Sequence, residues 1–216
     1  MQRVVLYLDF ECGIKPSPRI VNGSQAVPYS IPWQVSLFVD VGGGDFRHNC
    51  GGTIISPRHV MTAAHCLTIH TNIHRIVVGL HSKNDTEITK NGALVHEICR
   101  VARAGFDMAI VHLKKPIEFG PRAVPACLPT SKMAGDFLAN KTMTTSGWGA
   151  VLDSREEPTP NNLRFVKVPG VTNELCNEMY ATVGDFVRPD ELCAGDVVEG
   201  GIDACYGDSG GKIILE

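Results

Sequence analysis

Three short segments hold residue types from which a nucleophilic site can be built. Thr62-Ala-Ala-His-Cys66 ends an apolar stretch on a histidine, and Phe106-Asp-Met-Ala-Ile110 sets a carboxylate at the entry to another. Asp203-Ala-Cys-Tyr-Gly-Asp-Ser-Gly-Gly211 offers a serine between an aspartate and two glycines. A serine hydroxyl is a weak nucleophile at neutral pH and needs a positioned base, and histidine is the side chain that titrates near that pH. Taken singly, each residue has a plainer reading. His65 is a structural histidine, Asp107 a strand-edge carboxylate and Ser209 part of an ordinary turn. His70 and His74 have the i,i+4 spacing of a metal-binding pair. Their segment reads as a loop rather than a helix, so no metal site is expected there.

The elements that must position these residues read as strands. Trp33, Val35, Leu37 and Val39 alternate with Gln34, Ser36, Phe38 and Asp40, the period-2 signature of a sheet face. Short apolar runs follow at 52–55, 59–62, 75–80, 108–113 and 163–168, separated by turn-rich stretches such as Val41-Gly-Gly-Gly44 and Glu157-Pro-Thr-Pro160. Many short strands punctuated by Gly and Pro indicate a sandwich or barrel. One helix is expected over 173–182, capped by Thr172 or Asn173, with Leu175, Cys176, Met179 and Tyr180 on one side. Pro121 to Pro129 reads as an interdomain connector, because each proline removes a ladder donor.

Composition narrows the class. The chain has 216 residues, 44% hydrophobic and 20% charged, which excludes intrinsic disorder as the main reading. A net charge of −3 provides no basic field for nucleic acid. Val4 to Leu8 is the longest apolar run near the start, too short for a membrane span or a signal-peptide core. Eight cysteines without a Cys-x-x-Cys pair read as a disulfide framework and an oxidising compartment. Sequons at Asn22, Asn84 and Asn140 agree with that compartment.

Read jointly, T-A-A-H-C, D-M-A-I and G-D-S-G-G occur in the order His, Asp, Ser, with Cys50-Gly-Gly52, Ser146-Gly-Trp-Gly149, Val168-Pro169 and Leu192-Cys-Ala-Gly195 between them. From about Cys12 to its last residue the chain resembles the chymotrypsin/trypsin family of serine proteases. The resemblance implies an all-β fold of two six-stranded antiparallel β-barrels. Its divisions would be a propeptide remnant over 1–19, a first barrel over 20–124 and a second over 125–216. It implies that Ser209 attacks the scissile carbonyl, that His65 takes and returns the proton, and that Asp107 holds the imidazole tautomer. Gly207 and Ser209 would supply the oxyanion N–H groups. Asp203 would floor a pocket for Arg or Lys, and cleavage after Arg19 would free an Ile20 ammonium to pair with Asp208.

The same resemblance pairs Cys50 with Cys66, Cys176 with Cys193 and Cys12 with Cys127. It leaves Cys99 and Cys205 without family partners, and a bridge between those two is not expected. Met143 and Leu215 stand where a further family bridge has its cysteines, Leu80 where a calcium loop has its Glu, and Lys212 where the family has Pro. No cofactor or metal is implied. The chain is expected to be a piece of a longer protein, with its second barrel short of its last strands and itself not competent, while the full-length protein is. The expected function is a secreted, extracellular serine endopeptidase made as a zymogen. Its partners would be protein or peptide substrates with Arg or Lys, an activating protease and protein inhibitors, with no nucleic acid and no membrane. The competing reading is a catalytically silent homologue or fragment acting as a binding or regulatory module.

Overall fold

A computed structural model describes residues 11–13, 25–67, 70–83, 94–130, 133, 139–151, 159–198 and 206–215. The predicted positions Arg19, Ile20, Asn22, Asn84, Asp203 and Cys205 lie outside those residues.

Six antiparallel strands close into a barrel: β1 (Gln34–Asp40), β2 (Phe46–Ser56), β3 (His59–Ala63), β4 (His74–Val78), β5 (Leu94–Gly105) and β6 (Met108–Leu113). Their order is β1-β2-β3-β6-β5-β4. The interior holds Val35, Leu37, Ile54, Val60, Ile76, Val78, Val111 and Leu113, all essentially without exposed surface. Each such side chain contributes about 1.5–3 kcal/mol by leaving water. Gly52 faces this interior because an added Cβ would fall 2.9 Å from the Val35 side chain.

A second group, β7 (Thr142–Gly147), β8 (Arg164–Val171), β9 (Cys193–Ala194) and β10 (Ile213–Leu215), forms an open four-stranded sheet in the order β10-β7-β8-β9. The chain is thus nearly all-β, with one closed barrel and one sheet that is not closed. The two groups share a second apolar cluster of Ala26, Phe38, Val77, Leu80, Trp148, Leu163 and Phe165. The period-2 stretch is β1, and both of its faces are covered. Its polar face does not meet water: Gln34, Ser36 and Phe38 are all buried, turned toward the second sheet.

The proline-rich connector stays against the first barrel. Val124 N–H donates to the Pro32 carbonyl at 3.2 Å and Ala126 N–H to the Ile54 carbonyl at 2.9 Å. Cys12 and Cys127 form a disulfide there, with Cα atoms 5.0 Å apart. The helix, α1 (Asn173–Tyr180), is capped by Thr172, whose Oγ1 accepts from Leu175 N–H at 3.2 Å. It ends in a 3-10 turn over Ala181–Val183. Its expected apolar side does not form a buried face: Cys176 is buried, bonded to Cys193, whereas Leu175, Met179 and Tyr180 are each more than 40% exposed. The helix is held by its disulfide and by Asn173, which donates to the Arg188 and Glu191 carbonyls at 3.2 and 3.0 Å.

Candidate active site

Strands β3 and β6 pair side by side, with Ala63 opposite Met108 at one end of the ladder. His65 follows β3 in a 3-10 turn over Ala64–Cys66. Asp107 precedes β6 in a two-residue hairpin turn closed by the Gly105–Met108 pair. Phe106 and Asp107 have φ of 48° and 56°, the double left-handed geometry of a type I′ turn. That geometry turns the Asp107 carboxylate back onto the 3-10 turn.

Asp107 accepts three hydrogen bonds from this neighbour. Oδ2 lies 2.6 Å from His65 Nδ1, Oδ1 accepts from His65 N–H at 2.8 Å, and the carbonyl accepts from Ala64 N–H at 2.7 Å. Partial desolvation pushes the carboxyl up, but the bonds from His65 outweigh it and hold Asp107 below the usual carboxylate range. An ionised carboxylate can only accept, so His65 Nδ1 carries a proton, and in the neutral imidazole Nε2 presents the lone pair. His65 and Asp107 are each about half exposed, so the lone pair is open to a substrate.

Ser209 is delivered to the same place from the far end of the chain. Its carbonyl accepts from Gly51 N–H on β2 at 2.8 Å. The Cys66 Sγ atom lies 3.7 Å from that carbonyl and 3.7 Å from His65 Nε2, so one sulfur touches both partners. No hydrogen bond joins the Ser209 hydroxyl to His65 in this structure; such bonds commonly tighten only when substrate is bound. Gly210 has φ +75°, and a Cβ there would fall 2.8 Å from Ala63 N and from Gly51 O, so only glycine allows this approach. Cys50, His65 and Cys66 have ligand atoms close enough to hold an ion. The sulfurs are bonded to each other, so no thiolate is present.

The family model for trypsin matches residues 20–216. The chain belongs to the trypsin family. The Clotting factor G beta subunit of Tachypleus tridentatus is 34% identical over 218 aligned residues, covering 95% of this chain and 69% of that protein. Family membership makes this chain a serine protease by descent and its substrates proteins. With three disulfides in the structure, it also fits an extracellular setting. Among the described residues, no helix is long and apolar enough to cross a membrane.

Beside Ser209, Asp208 fills the space over two glycines. Its carboxylate lies where Gly147 and Gly149 would carry a Cβ, which is why Ser146-Gly-Trp-Gly149 has glycine at both positions. Gly149 N–H donates to Asp208 Oδ1 at 2.7 Å. The same peptide unit's carbonyl, on Trp148, accepts from Lys83 Nζ at 3.2 Å. Burial lowers Lys83 to about 8, with the Asp208 charge pulling the other way.

Sequence reasoning missed His48. Its Nδ1 lies 2.6 Å from Ser36 Oγ on β1 and its Nε2 3.0 Å from the Gly207 carbonyl. Burial pulls the imidazole down to about 4, with the Lys83 charge adding to that and the Gly207 bond opposing it. His48 is therefore neutral near pH 7 and anchors Gly207, two residues ahead of Ser209. It lies on β2 opposite Phe38 of β1, and no motif in its sequence neighbourhood marks it. Lys212 also gains a role: its Nζ donates to Gln34 Oε1 at 2.7 Å, and burial holds it well below the usual lysine range. Gln34 Oε1 also accepts from Ser146 Oγ at 2.9 Å, so one amide ties β1, β7 and the segment after Ser209 together. His70 precedes a 3-10 turn and His74 begins β4, buried, so the two do not share a helix. Among the described residues Cys99 is a free, exposed thiol.

Proposed function

We propose that the chain is the protease domain of a trypsin-like serine endopeptidase in which Ser209 is the nucleophile, His65 the base and Asp107 the orienting acid. The observation that carries this reading is the 2.6 Å contact between His65 Nδ1 and Asp107 Oδ2, made next to the Ser209 backbone. An imidazole fixed in that tautomer can take a hydroxyl proton at Nε2, and Asp107 then stabilises the imidazolium. Ser209 attacks the scissile carbonyl, the Gly207 and Ser209 N–H groups hold the oxyanion, and His65 returns the proton to the leaving amine. The acyl-enzyme is hydrolysed by water through the same base. No cofactor takes part.

Asp203, six residues before the nucleophile, selects Arg or Lys at the cleaved bond through charge pairing. The protein is made as a zymogen. Cleavage after Arg19 by an activating protease frees the Ile20 ammonium for Asp208, and Cys12–Cys127 keeps the cut segment attached. Secretion into an extracellular fluid fits the disulfides, and protein inhibitors are natural partners there. The matched relative's name as a clotting factor subunit fits the same setting. Peptide-library profiling of the activated full-length protein tests the reading. Cleavage after Arg and Lys is expected, lost in Asp203→Ser. Preference for Phe, Tyr or Leu overturns the specificity, and full activity of Arg19→Gln overturns the activation step.

A further inference from the structure

The far end of the ladder that delivers the triad carries a second histidine constellation that the proteolytic mechanism does not use. His59 opens β3 and His112 lies directly opposite it on β6. His112 Nδ1 and His59 Nε2 are 3.0 Å apart, with the rings edge to face at 68° and centroids 4.8 Å apart. Both side chains are only partly buried, so the pair meets solvent. The other nitrogen of His59, Nδ1, lies 2.7 Å from Ser56 Oγ, and that oxygen is itself fixed by accepting from Arg58 N–H at 3.3 Å.

We propose that His59 and His112 form a two-imidazole site for a borderline transition-metal dication, Zn²⁺ or Cu²⁺, on the barrel surface. Imidazole nitrogen suits these ions. At a metal–nitrogen distance of about 2.0–2.1 Å, two tetrahedral ligands stand ~3.3 Å apart and two at a right angle ~2.9 Å. The 3.0 Å separation falls between those values. With Nδ1–H given to Ser56 Oγ, His59 Nε2 offers its lone pair, the outer-shell arrangement that orients metal-bound histidines. Without metal, His112 Nδ1–H donates to that lone pair. With metal, His112 takes its other neutral tautomer, so Nδ1 ligates, the proton moves to Nε2, and none is released. Each ring turns by ~35° to aim at a common tetrahedral point. Water completes the coordination. Arg100, the cross-strand neighbour of His112 on β5, opposes a cation and sets the affinity below that of a closed site. The bound ion cross-links β3 and β6, the strands that end before His65 and begin after Asp107.

The test uses tag-free full chain with Zn²⁺ or Cu²⁺ as the added ion. Calorimetry should give one ion per chain with micromolar affinity, weakened at least tenfold in His59→Gln and in His112→Gln. At about a hundredfold excess over Kd the ion should raise the melting temperature by about 5–10 °C. Paramagnetic resonance of the Cu²⁺ complex should show two imidazole nitrogens, and it decides the matter on the unmodified chain should either variant fail to fold. Arg100→Gln should tighten binding. Absence of binding at 100 µM ion overturns the proposal. So does affinity unchanged in the double variant, or affinity lost in His65→Gln instead.

Discussion

His48 gives the account a stability signature that separates it from the carboxylates around it. Its imidazole lies at about 4 in the folded protein against an ordinary value of 6.5, so the unfolded chain binds the extra proton between those two values. Stability from this group is therefore complete above the unfolded value, falls as pH drops from 6.5 toward 4, and is flat below. Two and a half units correspond to about 3 kcal/mol at the limit, and integrating from about pH 7 down to about pH 4.5 leaves about 2 kcal/mol. His48→Gln removes the titration. It also loses the linear span from Ser36 Oγ to the Gly207 carbonyl, which costs about 1–2 kcal/mol at every pH. Urea unfolding of both proteins at the two pH values measures the difference. The wild type should lose about 2 kcal/mol more than the variant on acidification, since the carboxylates act alike in both. Equal acid losses would refute the reasoning and put a charged His48 in the folded state.

Asp107→Asn keeps the shape of the site but favours the wrong imidazole tautomer. Steady-state kinetics of the activated protein should show turnover lower by about 10⁴, the loss the same Asp→Asn change causes in the serine-protease template, with KM nearly unchanged. Removing the Cys50–Cys66 bridge by a double Cys→Ala change opens a 16-residue loop that contains β3 and His65. The chain-entropy estimate is a loss of about 3 kcal/mol, read as a melting temperature lower by about 6–12 °C. Gly210→Ala should cost about 3 kcal/mol or more, because a Cβ at φ +75° presses on the backbone at Ala63 and Gly51. A soluble variant with unchanged melting would contradict that approach of the Ser209 segment to β2 and β3.

Strands with a clear apolar period were legible in the sequence. The 108–113 run is β6 in full, and 59–62 is β3 but for its last residue. Strand β5 was not, because Glu97, Cys99, Arg100 and Arg103 interrupt its pattern, and two irregularities in its pairing with β6 shift the register. Strand β7, Thr-Met-Thr-Thr-Ser-Gly, has too few apolar residues to announce itself, and only the Ser146-Gly-Trp-Gly149 motif overlapping its end stood out. The alternation in β1 marks a sheet face but not what lies over the other one, which a second sheet covers. His65 and Asp107 could be singled out because each adjoins an apolar run. His48 could not, since its role depends on Ser36 and Gly207, partners 12 and 159 residues away.

On the proposed mechanism, Ser209 is made nucleophilic by His65 and Asp107. A fluorophosphonate probe applied to the activated full-length protein, with the adduct mapped by mass spectrometry, tests it most directly. A single adduct on Ser209 is expected, absent from Ser209→Ala and slowed by orders of magnitude in His65→Ala. An adduct on another residue, or labelling of Ser209 at an undiminished rate without His65, would contradict it.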